Sequence, residues 1–194
     1  MATKEEKHIL ITGFGGQGVV MAGDILGKAA TLYDHKIATL TRAYGPEARG
    51  SSCSAQVIIS EEEVFFPYIQ EPRILVCLSQ DGYTKNAGKL GRGSILLWDT
   101  DLVQTKSIAP GVTTYNIPAT RFAEEMGNKM MANIVMLGFL TAVCTLVSVE
   151  AMREAVRTSV PEPTREVNER AFERGREYGE AILKSRTKQK RVRD

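Results

Sequence analysis

The sequence predicts a three-layer, Rossmann-like α/β fold, with a mostly parallel sheet, an edge hairpin and helices on both faces. Short apolar runs alternate with helical patterns along the chain, at the spacing of a parallel sheet with crossover helices. A glycine-rich turn, Gly13 to Gly18, follows the first apolar run and opens the first helical pattern. This is where α/β proteins turn from strand to helix.

Six apolar runs are the predicted strands, at residues 8–12, 36–41, 54–59, 73–78, 94–99 and 113–117. The fourth and fifth runs are nearly continuous in apolar character, as in strands that are buried on both faces. By contrast, Val57-Ile58-Ile59, the polar Ser60-Glu61-Glu62 and Val64-Phe65-Phe66 predict a hairpin at the sheet edge.

The predicted helices span residues 18–33, 80–90, 119–127, 130–147, 149–158 and 164–185. The stretch from Met130 to Leu146 is apolar over most of its circumference, so we expect it to be buried nearly all round. With 194 residues, 43% hydrophobic and 25% charged, the chain has the composition of one globular domain, which we assign to residues 1–183. Residues 184–194 are strongly basic and predict a flexible tail.

Several functional classes are not expected from the composition. Residues 1–7 contain no apolar signal region, and the longest apolar stretch, 132–147, is interrupted by polar residues, so we expect a cytoplasmic protein without a membrane segment. Cys53, Cys77 and Cys144 lie far apart, which predicts neither a disulfide nor a metal or cluster site. The basic tail lacks interleaved aromatic residues and any recognisable nucleic-acid-binding motif, so we expect no nucleic-acid partner.

The glycine turn suits a phosphate ligand, because its backbone N–H groups and the following helix N-terminus favour an anion. A nicotinamide-binding unit usually ends its second strand in Asp or Glu, whereas this strand ends in Thr41-Arg42. An arginine suits a 2′-phosphate, so an NADP-dependent enzyme stays open as an alternative. The lysine-bearing loop GxxxxGK[ST] is missing, so ATP or GTP hydrolysis is not expected. A further alternative is that these glycines serve only close packing.

A second loop, Tyr44-Gly45-Pro46-Glu47-Ala48-Arg49-Gly50, narrows the interpretation. Together the two loops resemble the gamma subunit of the 2-oxoacid:ferredoxin oxidoreductases, in which a GxGGQG turn precedes a YGPEARGG segment. Here Ser51 stands where the family often has its second glycine. The forms GFGGQGVV and YGPEARG are more similar to the 2-oxoglutarate branch than to the pyruvate branch. A pyruvate or branched-chain ketoacid version is the alternative.

The resemblance implies a complex that converts a 2-oxoacid and coenzyme A to acyl-CoA and carbon dioxide, with electrons passing to ferredoxin. Such a complex uses thiamine diphosphate with Mg²⁺, and iron–sulfur clusters. This chain has no Gly-Asp-Gly diphosphate signature, since Gln80-Asp81-Gly82 lacks the first glycine, and three scattered cysteines cannot supply four cluster ligands. We therefore expect catalysis on alpha and beta partners, with clusters there or on a delta subunit, and no catalytic or metal-ligating residue on this chain.

The remaining role is structural or CoA-positioning, and it gives two groups of candidate residues. The residues proposed to face the CoA pyrophosphate or a subunit interface are Gly13, Gly15, Gly16, Gln17 and Gly18. The residues proposed to form an interface or ligand loop are Tyr44, Gly45, Pro46, Glu47, Arg49 and Gly50. For Asp99 and Asp101 a capped turn is expected, and for Asn133 a helix cap or a buried amide hydrogen bond. A CoA-binding regulatory module without a redox partner is a further alternative.

Overall fold

The computed structural model describes residues 6–45 and 51–193, with side chains as far as residue 189. Its strands form one six-stranded sheet in the order β2-β3-β1-β4-β5-β6. They are β1 (Lys7–Phe14), β2 (Ile37–Tyr44), β3 (Ser52–Ser60), β4 (Ile74–Cys77), β5 (Ile95–Asp99) and β6 (Thr113–Ile117). β1, β4, β5 and β6 pair in parallel, and β3 runs antiparallel to both β1 and β2. The predicted mostly parallel sheet is therefore confirmed.

Helices cover both faces of this sheet. They are α1 (Val19–Lys28), α2 (Gln80–Asn86), α3 (Ala119–Glu125), α4 (Ala132–Val143), α5 (Val149–Ser159) and α6 (Arg165–Arg193). A π-helical segment, Ala29–Tyr33, prolongs α1. Successive side chains of a strand point to opposite faces, so Ile9 and Ile11 pack in the larger core with α1 and α3 to α6, while Leu10 packs in the smaller core against α2. The three-layer prediction is confirmed.

The edge hairpin exists, but other residues form it. β2 and β3 pair along their whole length, from Ile37 opposite Ser60 to Tyr44 opposite Cys53. The prediction of a second hairpin strand at Val64-Phe65-Phe66 is wrong, because these residues form no strand. Pro67 follows the run directly and has no N–H to donate to a sheet.

Residues 61–71 instead form a strap that crosses one face of the hairpin on its way from β3 to β4. The Thr41 hydroxyl donates to the Pro67 carbonyl at 2.9 Å, and the Ile69 N–H donates to Gln56 Oε1 at 2.7 Å. Thr41 and Gln56 are directly opposite in the β2–β3 ladder, so both anchors lie on the same face. The strap therefore covers part of that face of the hairpin.

The predicted burial of the apolar helix is confirmed over residues 133–141 of α4, all of which are buried. Two glycines let α4 approach α6 closely. A Cβ atom at Gly138 would lie 1.9 Å from the Phe172 carbonyl oxygen, and one at Gly175 would lie 1.9 Å from the Val135 carbonyl oxygen. Since no side chain fits at either position, the two backbones are in direct contact there.

Residues 184–193, which the sequence assigns to a flexible tail, continue α6 as a helix. Arg186 in this stretch packs against the sheet edge: its guanidinium lies 4.2 Å from the centroid of the Tyr115 ring and donates to the Thr114 carbonyl at 2.5 Å. The side chains of residues 184–189 are otherwise exposed. Flexibility of the tail stays a prediction.

Candidate functional site

The glycine turn lies at the carboxyl end of β1, and Gln17 holds it in shape. Gln17 Oε1 accepts a hydrogen bond from the Phe14 N–H at 2.6 Å, and its Nε2 donates to the Leu78 carbonyl at 2.8 Å. A Cβ atom at Gly13 would lie 2.6 Å from Gln17 Oε1 and 2.7 Å from Val19 Cγ2. Gly13 thus makes room for the glutamine side chain, and Gln17 ties the turn to the end of β4.

Gly18 begins α1 in the left-handed conformation, with φ of 70°. A Cβ atom there would lie 2.3 Å from Asn133 Nδ2, which donates to the Gly18 carbonyl at 3.2 Å. Asn133 Oδ1 accepts from the Ile134 N–H at 2.9 Å, and the side chain is buried. The expected buried amide hydrogen bond of Asn133 is therefore confirmed, and it joins the start of α4 to the start of α1.

Gly15 and Gly16 form the outer part of the turn. The Gly15 N–H donates to the Ser51 carbonyl at 3.0 Å. Gly16 has φ of 94°, and no heavy atom lies within 4 Å of a Cβ built there. Within the described residues, the Gly16 N–H has no protein acceptor. Gly16 is thus the position of the turn that is open to a ligand.

An apolar recess of about 160 Å³ adjoins this position, and Gly16, Gln17, Leu78, Leu102, Thr120, Lys129, Met130 and Ala132 line it. Lys129 is the cation at its rim, with its Nζ atom 3.4 Å from Glu124 Oε1. Met130 is 59% exposed beside it. An anion held at Gly16 would accept a hydrogen bond from its backbone N–H, and the recess beside it is lined by apolar side chains and by Lys129.

The start of the second loop lines another recess, of about 270 Å³, on the other side of Gly13. Tyr44 and Gly45 contribute to it, and Lys85 and Lys89 face it from the α2 side. Tyr44 is 67% exposed, and the Gly45 N–H donates to the Ser52 carbonyl at 2.8 Å. The structure thus brings Gly13, Tyr44 and Gly45 together. The other candidates in this loop, Pro46, Glu47, Arg49 and Gly50, lie outside the described residues.

The sheet order bears on the NADP alternative. In a nicotinamide-binding unit the second strand lies beside the first, so its end reaches the ribose. Here the antiparallel β3 separates β2 from β1. Arg42, the residue that suits a 2′-phosphate, donates to Asp24 Oδ1 at 2.5 Å on the outer edge of the sheet. The arrangement therefore does not favour NADP.

Asp99 and Asp101 form the expected capped turn after β5. Asp99 Oδ2 accepts hydrogen bonds from the Thr120 N–H at 2.8 Å and from its hydroxyl at 2.6 Å, and Oδ1 accepts from the Asp101 N–H at 2.9 Å. Burial raises the pKa of the Asp99 carboxyl, and the bonds from Thr120 and Asp101 oppose that rise. Arg121 pairs with Asp101 at 2.5 Å. These contacts fix the start of α3 beside the apolar recess.

Burial raises the pKa of all three cysteine thiols. Burial raises the pKa of Cys53, although a hydrogen bond from the Val20 N–H opposes the rise. Burial raises the pKa of Cys77 and of Cys144 to about 12. Neutral thiols are poor nucleophiles and poor metal ligands. Among the described residues, no group of three or more His, Cys, Asp and Glu side chains is arranged to hold a metal ion.

No helix in the described part of the chain is both long enough and apolar enough to span a bilayer.

The sequence did not indicate three lysines near the turn, Lys85, Lys89 and Lys129. Each lies more than sixty residues from the turn along the chain. Lys85 and Lys89 belong to a predicted helix and Lys129 lies between two, and at such positions a lysine is an ordinary surface residue. Only the folded sheet, which aligns the ends of β1, β4 and β5, places them beside it. Periodicity alone gives no signal for this arrangement.

The family comparison agrees with this architecture. The family model of pyruvate ferredoxin/flavodoxin oxidoreductases matches residues 8–178. The chain belongs to this family. Among individual relatives, 2-oxoglutarate synthase subunit KorC of Methanocaldococcus jannaschii is 48% identical over 92% of this chain and 97% of the relative. Ketoisovalerate oxidoreductase subunit VorA of Methanothermobacter thermautotrophicus is 36% identical, over 89% of this chain and 36% of the relative.

Solved structures confirm the fold. The gamma subunit of a keto/oxoacid ferredoxin oxidoreductase from Geobacter sulfurreducens PCA superposes with a TM-score of 0.78 at 36% identity, covering 90% of this chain and 99% of that one. A 2-oxoglutarate:ferredoxin oxidoreductase from Magnetococcus marinus, with 2-oxoglutarate, coenzyme A and succinyl-CoA bound, gives a TM-score of 0.84 at 23% identity. This chain covers 32% of that polypeptide, with 92% of its own length matched. The resemblance to gamma subunits is thus confirmed.

Proposed function

We propose that this chain is the gamma subunit of a 2-oxoglutarate:ferredoxin oxidoreductase, which forms succinyl-CoA and carbon dioxide from 2-oxoglutarate and coenzyme A. The observation that carries the proposal is the identity of 48% to a 2-oxoglutarate synthase subunit over nearly the full length of both chains. The ketoisovalerate relative is less similar, at 36%. That difference favours 2-oxoglutarate over the branched-chain alternative.

Catalysis lies, in this proposal, on the partner subunits. Thiamine diphosphate with Mg²⁺ supplies the electron sink for decarboxylation, and iron–sulfur clusters carry the electrons to ferredoxin. The cysteines of this chain are buried, with raised pKa values, and none is exposed for cluster ligation. The alpha and beta subunits, and a delta subunit where one is present, are the expected carriers.

Purification of the assembled complex tests this assignment. An affinity tag on this chain, co-expressed with its neighbouring genes, is expected to retain a thiamine diphosphate-containing subunit and an iron–sulfur subunit. Mass spectrometry and cofactor analysis identify both. Retention of neither subunit would contradict the proposal.

The contribution of this chain is to position coenzyme A. We place an anionic group of the cofactor, its pyrophosphate, at the open face of Gly16, where the N–H has no protein acceptor and Lys129 borders the adjoining recess. The N-terminus of α1 adds a favourable field. The other turn glycines support this position indirectly, because Gly13 and Gly18 are packed against Gln17 and Asn133.

Substitution at Gly16 tests the CoA position in the assembled enzyme. Gly16→Ala adds a methyl group at the open face, and we expect KM for CoA to rise by roughly ten- to hundredfold, the equivalent of one or two charge-assisted hydrogen bonds. KM for 2-oxoglutarate should stay unchanged. The matched control is Gly93→Ala. Gly93 has a similar φ of 84°, and no atom lies closer than 4.0 Å to the added Cβ. It precedes β5, so it lies at the opposite ends of the strands from the glycine turn. Equal effects of both variants on KM for CoA would overturn the CoA position and leave the subunit assignment intact.

A further inference from the structure

The large apolar side chains that the described structure leaves exposed lie at the two opposite ends of the strands. One group is at the carboxyl end of β1 and the other is at its amino end. Phe14, Tyr44 and Met130 surround the glycine turn. The others are Leu32, Ile37, Phe65, Phe66 and Tyr68. These five belong to the start of β2, the segment before it and the strap. The eight-residue strand β1 spans the distance between these two ends, which is about 25 Å. A partner that covers the glycine turn therefore leaves the second group exposed.

The strap presents its aromatic side chains outward from a fixed backbone. Phe65 is 87% exposed, Phe66 59% and Tyr68 56%. The Phe66 and Tyr68 rings pack edge to face, with centroids 5.7 Å apart. The backbone between and after them is anchored through Pro67 and Ile69 to the hairpin, and Ile69 is buried. Exposed aromatic residues on a rigid backbone are typical of a protein interface.

Charges of opposite sign flank this aromatic cluster. On one side, Glu61, Glu62 and Glu63 follow β3 and are exposed. On the other side, Arg73 and Arg92 line a recess of about 630 Å³ together with Phe66 and Tyr68. Within the described residues, none of these five charged side chains has an ion-pair partner.

Three more residues line or border the recess at the basic end of the surface. Among the charged side chains that line the recess, the guanidiniums of Arg73 and Arg92 outnumber the single carboxylate, that of Glu71. His8 also lines it, and its Nε2 atom lies 2.8 Å from Glu6 Oε2. The surface as a whole therefore runs from an acidic end, across aromatic rings, to a basic end.

We propose that this strap surface, formed by residues 61–63, Phe65, Phe66, Tyr68, Arg73 and Arg92, binds a second copy of the same chain. A two-fold axis through the aromatic cluster would set the acidic end of each copy against the basic end of the other. Symmetric interfaces require this self-complementarity, in which one patch pairs with itself. The surface lies away from the glycine turn, so the inference does not rest on the proposed function.

Charge reversal on separate copies tests the proposal in the purified full-length chain. The first variant, Arg73→Glu/Arg92→Glu, makes both ends acidic, and the second, Glu61→Arg/Glu62→Arg, makes both ends basic. We expect the unmodified chain to dimerise in sedimentation equilibrium, and each variant alone to associate roughly a hundredfold more weakly because like charges are opposed. An equimolar mixture of the two variants should dimerise again. The matched control is Lys184→Glu/Lys188→Glu, the same charge change on exposed residues of α6, which should leave dimerisation unchanged.

Three results would overturn the proposal. One is an unmodified chain that stays monomeric at micromolar concentration. Another is a mixture of the two variants that stays monomeric while each variant remains folded by circular dichroism. The third is a dimer that Phe65→Ala/Phe66→Ala leaves intact. A monomeric chain that needs the strap aromatics to retain a different subunit would instead identify a heteromeric interface.

Discussion

At the scale of single residues, the side-chain amide of Gln17 shapes the glycine turn, because its oxygen accepts one hydrogen bond and its nitrogen donates another. Gln17 joins the end of β1, through the Phe14 N–H, to the end of β4, through the Leu78 carbonyl. Gly13 and Gly18 lack side chains where Gln17 and Asn133 need the space. Most of the motif therefore builds the turn, and Gly16 is left to face outward.

Replacing Gln17 tests this explanation. Gln17→Glu keeps the oxygen that accepts from Phe14 but loses the N–H that donates to the Leu78 carbonyl. A carboxylate oxygen then faces that carbonyl oxygen and is repelled by it. We therefore expect the free energy of unfolding to fall by roughly 1–3 kcal/mol. Urea denaturation measures the change. Gln80→Glu is a matched control, because Gln80 makes the same pair of contacts, to the backbone N–H and carbonyl of Gln104, in an exposed position where water can replace them. Equal losses in the two variants would contradict the role given to Gln17.

At the scale of the elements, the contact between α4 and α6 depends on backbone packing. Gly138 and Gly175 each lie against a carbonyl of the other helix, so the helices approach as closely as their backbones allow. A glycine inside a helix is ordinarily unfavourable relative to alanine. Here the close packing of a nearly fully apolar helix outweighs that preference.

Alanine substitutions in two helices separate these effects. Gly138→Ala places a methyl group 1.9 Å from the Phe172 carbonyl oxygen, and we expect a loss of at least about 3 kcal/mol in unfolding free energy because the helices must separate. Gly27→Ala in α1 meets no atom within 4 Å and should stabilise the protein by roughly 0.5–1 kcal/mol. Chemical denaturation of both variants provides the comparison. A stabilising Gly138→Ala would show that the helices are not packed this closely.

The sequence predicts the elements well where their patterns are local. All six strands lie where the apolar runs place them, and the helical patterns match helices, because burial of one or both faces imposes the pattern directly. Pairing between strands is not local. Nothing in the run 54–59 distinguishes an antiparallel strand inserted between β1 and β2 from a parallel edge strand. The prediction of a strand at Phe65 and Phe66 is wrong because exposed aromatic residues give the same sequence pattern as buried ones.

At the scale of the whole molecule, the sheet separates two exposed surfaces. The carboxyl ends of the parallel strands carry the glycine turn, with the open Gly16 and the lysines around it. The opposite ends of the strands carry the strap surface, with its exposed aromatic rings and the two arginines of the recess. In the assembly that we propose, a catalytic partner contacts the first surface and a second copy of the chain contacts the other. The motifs predicted the first surface, whereas the second follows only from the folded strap.

Reconstitution with and without this chain tests the central claim most directly. The partner subunits, purified with their cofactors, are assayed for CoA-dependent reduction of ferredoxin with 2-oxoglutarate and with pyruvate. We predict turnover with 2-oxoglutarate in preference to pyruvate, formation of succinyl-CoA, and loss of CoA-dependent turnover when this chain is omitted. Partner subunits that reach the same rate and the same KM for CoA without this chain would contradict the account.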